Sequence, residues 1–172
     1  MNSSVGVVVL ASHPLKNEGP ANKIFSDIRS SKINIYIDNI LNSGIDDIVV
    51  VVNQEQWEIG ADLSGYPVCM VVNDGLSDDF LNMVNTGMKA LPGYITGTII
   101  IKYGNQPIRS EKFAVLEKFH HNAPQCAVLP GDNRQNGYAA LCPVESYHTL
   151  SNGLRLDNII PQECGQLDAG RV

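Results

Sequence analysis

Lys16 and Lys23 lie in the stretch Ser12-His13-Pro14-Leu15-Lys16-Asn17-Glu18-Gly19-Pro20-Ala21-Asn22-Lys23, directly after the apolar run Val5 to Ala11. A loop in that place can wrap a triphosphate with backbone N–H groups and neutralise it with lysine. Glycine normally lets such a backbone come close to phosphate, and here the loop has only Gly19. Neither G-x-G-x-x-G nor G-x-x-x-x-G-K-[ST] occurs. The loop therefore reads as a phosphate cradle or as a plain connection, with His13 as a phosphate contact or a surface residue. Gly104-Asn105-Gln106-Pro107 offers a similar choice. It is either a turn or a ligand contact through Asn105, whose amide hydrogen-bonds but brings no negative charge to a metal. Asp78-Asp79 suits the first turn of a helix as well as it suits a cation. His120-His121 reads as a solvated helix end, and Trp57 as a partner anchor or a cover for the sheet edge. None of Cys69, Cys126, Cys142 and Cys164 forms a C-x-x-C pair. Their expected state is free buried thiols in a reducing compartment. With His120 and His121 they match no common zinc spacing.

These residues need elements to hold them. Short β-branched runs predict strands at Val5–Ala11, Ile48–Val52, Val68–Val72 and Thr98–Ile101, then Cys126–Leu129 and a short Tyr138–Cys142. Ile33, Tyr36, Ile37, Ile40 and Leu41 recur three and four apart and mark a helix, capped at Ser30 or Ser31 and stopped at Gly44. Leu81, Val84, Met88 and Leu91 mark a second helix, with Ser77 before its acidic first turn and Pro92-Gly93 after it. Phe113, Leu116 and Phe119 mark a third, with Ser110 as its cap. Alternating strands and helices predict an α/β domain: one doubly wound, mostly parallel, Rossmann-like sheet. Ligands of such sheets bind beyond the carboxyl ends of the strands. The loops after Ala11, Asn53, Val72, Lys102 and Leu129 are thus the places to search.

With 172 residues and no linker-like stretch, residues 1–172 read as a single domain. Hydrophobic residues at 44% suffice for a core without staples. Lys+Arg at 12 against Asp+Glu at 18 gives a net charge of -6, which disfavours a nucleic-acid partner. No apolar run is long enough to cross a membrane, and the first residues lack a basic region before an apolar one. The expected setting is cytoplasmic.

The order of the pieces resembles a known family. Leu10-Ala11-Ser12-His13, running on to Gly19 and Lys23, lies where that family has L-A-A-G-x-S-x-R-M-G-x-x-K. Ile33 to Val52, including Ser43-Gly44-Ile45-Asp46-Asp47-Ile48-Val49-Val50-Val51-Val52, follows P-L-L-x-x-x-L-x-x-L-x-x-A-G-x-D-x-V-V-V-V. Val71-Val72-Asn73-Asp74-Gly75-Leu76-Ser77 and Thr86-Gly87-Met88 echo V-x-N-P-x-W-x-x-G-M-x-x-S-L. Gly104-Asn105-Gln106-Pro107 matches G-D-Q-P, and Asn133 to Leu141 echoes G-x-R-G-N-P-V-L-F. On these motifs the chain, over about residues 5 to 160, is similar to the molybdenum cofactor cytidylyltransferases and molybdopterin guanylyltransferases. They are a branch of the nucleotide-diphospho-sugar transferase-like fold.

The resemblance implies a divergent nucleotidyltransferase-like protein. CTP or GTP would bind, with Mg2+ held weakly, and a pterin would accept CMP or GMP. It implies catalytic positions at Lys23 and Asn105, and nucleotide-binding positions at Ala11, Ser12, His13, Lys16, Gly19, Asn73 and Ser77. The departures set the expected activity. Ser12-His13-Pro14 replaces the glycines, the loop arginine has no clear match, and Asn105 stands at the family's metal-binding aspartate. The family's second carboxylate, in D-x-D-T-P, has no counterpart. Each carboxylate removed from a divalent ion forfeits several kcal/mol, at about 4 kcal/mol per unit charge pair at 4 Å and an effective dielectric of 20. Reduced or absent transfer follows, and Asp74, Asp78 and Asp79 become alternative metal ligands. The other reading is a non-catalytic protein that keeps a nucleotide or pterin cleft.

Overall fold

The computed structural model describes residues 4–11, 33–56, 59–73, 80–102, 107–128 and 138–145. Strand β1 (Ser4–Leu10) is followed by helix α1 (33–42), β2 (Ile48–Asn53) and a short helix α2 (Ile59–Asp62). Then come β3 (Cys69–Asn73), α3 (Phe80–Ala90), β4 (Ile95–Lys102), α4 (Ser110–Asn122) and β5 (Tyr138–Pro143). The strands form one sheet in the order β3-β2-β1-β4-β5. All neighbours are parallel except β5, which runs antiparallel to β4. The expected α/β architecture with a mostly parallel sheet is therefore present.

The central strands are apolar along their whole length because both faces are covered. Val8, Leu10, Val49, Val51, Ile100 and Cys142 pack on one face with Met83 and Val84 of α3. Val7, Val9, Val50, Val52, Ile99 and Ile101 pack on the other with Ile33, Tyr36, Ile37 and Ile40 of α1 and Phe113 and Leu116 of α4. A valine or isoleucine taken fully out of water contributes roughly 1.5–3 kcal/mol, so β1, β2 and β4 anchor the molecule.

Helix α1 ends at Gly44, whose φ of 93° needs a residue without a Cβ. The Ser43 hydroxyl donates to the Ile40 carbonyl at 2.6 Å and the Gly44 N–H donates to Leu41 at 3.0 Å, closing the last turn. In α3, Gly87 lets the helix lie directly on the sheet. A Cβ there would stand 2.4 Å from Val8 Cγ1 and 2.9 Å from Val51 Cγ2.

Several expectations are corrected. Cys126–Leu129 is not a fifth strand: Val128 makes one isolated bridge to Leu141, and Leu129 lies outside the described residues. The fifth strand is β5, which occupies the edge position beside β4. Ser110 is the first helical residue of α4, not its cap. Extended Arg109 precedes it and makes no side-chain capping bond. Between β2 and β3, where no helix was expected, the described residues form short helical turns. Cys69 is exposed, because β3 is an edge strand, and Cys142 is buried. Burial pushes the Cys142 thiol up to about 11, which leaves it inert. Cys126 is disulfide-bonded rather than free, and its other half lies outside the described residues. His120 is fully buried, not solvated. No described helix is long and apolar enough to cross a membrane.

Candidate functional site

Register fixes which residues share an edge of the sheet. Asn53 lies beside Asn73, Leu10 beside both Val51 and Lys102, and Lys102 beside Tyr138. Across the carboxyl ends the chain thus presents Asn73, Asn53, Ala11, Lys102 and the start of β5. Val72, Ala11 and Lys102 lie at one edge, as the loop argument requires. Ala11, Asn73 and Lys102, each the last described residue before an undescribed stretch, all lie at that edge.

Of the nucleotide-binding positions implied by the family, Ala11 and Asn73 are described. Ala11 is buried, and its N–H donates to Val51 at 2.9 Å, so it extends the sheet by one residue. Its methyl joins the core on the α1 and α4 face, and its part is to launch the loop. Ser12, His13, Lys16, Gly19, Lys23, Ser77 and Asn105 lie outside the described residues, as do Trp57, Asp74, Asp78 and Asp79.

Asn73 is a different case. It is 6% exposed at the last position of β3. Two α3 residues one turn apart, Asn82 and Thr86, face it. Asn82 Nδ2 lies 3.4 Å and Thr86 Oγ1 3.3 Å from Asn73 Oδ1. The Thr86 hydroxyl has a single hydrogen and a nearer acceptor, the Asn82 carbonyl at 3.0 Å. Asn73 is therefore held loosely, and its Nδ2 is buried with no hydrogen-bond partner among the described residues. Rotating the amide by half a turn lets Nδ2 donate to Thr86 Oγ1 but leaves Oδ1 without Thr86 as a donor. A buried amide left short of partners costs about 1–3 kcal/mol. Sequence reasoning missed Asn82, and placed Thr86 in a motif without giving it a role. Their signal was two polar residues four apart on the helix that follows Asn73.

The metal candidates Asn105, Asp74, Asp78 and Asp79 lie outside the described residues, and the described part of the edge supplies no carboxylate for Mg2+. That ion takes one or two carboxylates together with phosphate oxygens. Ala11, Asn53, Asn73 and Lys102 supply none, and no group of three or more His, Cys, Asp or Glu among the described residues could hold a metal. At the opposite, amino edge lies a concavity of about 210 Å³ lined by Asp46, Asp47, Cys69 and Leu91 among others. There the Tyr94 hydroxyl lies 2.8 and 2.9 Å from the two Asp47 carboxylate oxygens. That hydrogen bond is the main reason the Tyr94 phenol titrates above its ordinary value, with burial second.

No family model matches the chain, and no curated protein matches its sequence. Solved structures do match its shape. The 4-diphosphocytidyl-2C-methyl-D-erythritol synthase of Anaerococcus prevotii DSM 20548 superposes with a TM-score of 0.62 at 13% identity, over 92% of this chain and 80% of that one. The fold is nucleotide-diphospho-sugar transferase-like. A nucleotidyl transferase from Methanothermobacter thermautotrophicus superposes with a TM-score of 0.64 at 15% identity, over 92% and 79%. Rv0371c of Mycobacterium tuberculosis H37Rv reaches 0.65 at 12%, over 92% and 80%. At these identities the likeness is one of fold. Asn73 and Asn53 lie at the carboxyl edge of the sheet, where open α/β sheets in general bind ligands.

Proposed function

We propose that the chain binds a nucleoside triphosphate, CTP or GTP, across the carboxyl edge of its sheet. We further propose that it derives from enzymes that transfer CMP or GMP to a molybdopterin acceptor. The observation that carries this reading is Asn73, a buried amide with an unpartnered nitrogen at the end of β3, beside Asn53. Such an amide can serve a base or ribose atom by hydrogen bonding. In transfer, an acceptor phosphate oxygen attacks the α-phosphorus in line and pyrophosphate leaves. Lys16 and Lys23 are the cations of this chain that would neutralise the phosphates. Asn105 in place of an aspartate makes that reaction slow. The same substitution favours a second reading, in which the chain is an accessory protein that keeps the cleft and has lost the chemistry.

Thermal-shift measurement against CTP, GTP, ATP and UTP, with and without Mg2+, tests binding. A nucleotide at 100 times its dissociation constant stabilises the protein by roughly 2.7 kcal/mol. CTP or GTP is expected to raise Tm, with little effect of Mg2+. No shift from any nucleotide removes the proposal. Asn105→Asp separates the two readings. Restored charge is worth about 4 kcal/mol near a cation before desolvation. Tighter Mn2+ or Mg2+ binding by calorimetry, with pyrophosphate released from CTP or GTP, supports a weakened transferase. Unchanged metal affinity supports the accessory protein.

A further inference from the structure

His120 sits near the end of α4 with its ring on Gly97 of β4, at the edge of the sheet opposite the candidate site. A Cβ at Gly97 would lie 2.6–2.7 Å from three ring atoms, so the glycine makes the room that the imidazole fills. The residue is fully buried. The Thr96 hydroxyl has one hydrogen for two acceptors, Nε2 at 3.1 Å and the Ser4 carbonyl at 3.2 Å; when it serves Ser4, Nε2 carries the imidazole proton and donates to Thr96. Nδ1 is then a bare acceptor, buried with no partner. Protonating it would place an N–H and a full charge where no acceptor waits.

The surroundings offer no relief among the described residues. Strands β1 and β5 carry no charged side chain, and β4 has only Lys102 at its far end. On α4 itself, half-buried Glu117 lies one turn earlier and makes no bond to Nδ1, while Lys118 is exposed. His121 next to it opposes a positive charge. The C-terminal dipole of α4 favours a cation, but only at a position open to water.

We propose that His120 is an acid-release latch: protonation at Nδ1 undocks the last turns of α4 from β4. Burial first, then His121, hold its pKa below the ordinary 6.5, which agrees with this geometry. The sign follows. The released state binds the proton more readily, so docking is tightest above pH 6.5 and weakens progressively as pH falls below it. Helix α4 begins just after the segment 103–106, and the Asn39 amide pins Ile108 to α1 at 2.9 Å. Release at the far end of α4 therefore frays the helix from the amino edge, leaving its start tethered.

Hydrogen-exchange mass spectrometry on the whole chain at pH 7.5 and 5.5, corrected for intrinsic rates, tests the latch. With a ring that stays neutral when docked and titrates at 6.5 when released, opening grows about tenfold between these pH values. The expected result is a tenfold loss of protection in peptides covering 116–122, with 33–42 of α1 unchanged. His120→Phe fills the same space without titrating and should abolish the change. His120→Gln is the second variant should Phe fail to fold. Unchanged protection at 116–122, equal loss in α1, or the same pH response in the non-titrating variant overturns the proposal.

Discussion

Both faces of the sheet use glycine for close packing, in different partners. On the α3 face Gly87 brings the helix down onto Val8 and Val51, and Gly6 of β1 makes room for Leu91. On the α4 face the glycine is in the strand, and Gly97 recesses the sheet to admit the His120 ring. Each face also buries a nitrogen that lacks a partner: Asn73 Nδ2 on the α3 side and His120 Nδ1 on the α4 side. They stand at opposite ends of the strands. Asn73 borders the edge where ligands of this fold bind, so its orphan atom reads as unspent binding capacity. His120 borders the other edge, so its orphan atom reads as a sensitivity to protons. Position, not residue chemistry alone, separates the two meanings.

Gly87→Val should give the largest effect. The added Cβ enters between two fully buried valines of β1 and β2, which cannot retreat without losing their own packing. Overpacking of this kind costs about 3 kcal/mol, more than any helix-propensity gain of about 1 kcal/mol returns. The net loss of about 2 kcal/mol should lower Tm of a chain of this size by roughly 4–8 °C in a thermal melt. An unchanged Tm would mean that α3 rides higher on the sheet than the glycine implies.

Gly97→Ala should come next, at about 1–2 kcal/mol, because the atoms it meets belong to a ring that can tilt. The comparison sharpens when His120→Ala is added. Removing the ring removes the clash, so the double variant should lose about 1–2 kcal/mol less than the two single losses predict. Denaturant melts of the four proteins measure that coupling. Strict additivity would separate the glycine from the histidine and break the symmetry between the faces.

How far the chain alone discloses this arrangement differs by region. The valine and isoleucine runs of β1, β2 and β4 are legible because strands buried on both faces cannot hide among polar residues. The α1 face of Ile33, Tyr36, Ile37 and Ile40 and the stop at Gly44 are legible for similarly local reasons. Met83 and Gly87 are not, because the face that α3 buries is chosen by Val8 and Val51, remote in sequence. His120 misleads for the same reason: its cavity is made by Gly97, 23 positions earlier. Val128 misleads in the opposite sense, because an apolar run needs a strand to pair with, and Leu141 meets it at one residue only. At the site, the sequence marks Asn73 through a family motif, whereas the looseness of its contacts to Asn82 and Thr86 exists only once β3 and α3 are packed.

The smallest effect on stability should come from Asn73→Leu, and this is what makes it informative. Leucine is close in size, and it removes an amide whose nitrogen is unsatisfied and whose oxygen has only long contacts of 3.3 and 3.4 Å. Thr86 keeps its bond to the Asn82 carbonyl, so nothing strongly bound is stranded. Replacing a poorly paired polar group by an apolar one of similar shape is nearly neutral, and Tm should stay within about 2 °C. Nucleotide binding should respond quite differently. A lost hydrogen bond to a ligand costs about 1 kcal/mol, a roughly fivefold rise in the dissociation constant for CTP or GTP by calorimetry. His120→Phe, at the other edge, should leave that affinity unchanged at pH 7.5. Equal loss of affinity in both variants would show that the two edges are not functionally distinct. A large drop in Tm for Asn73→Leu, with affinity intact, would make Asn73 a structural residue and move the ligand elsewhere on the sheet.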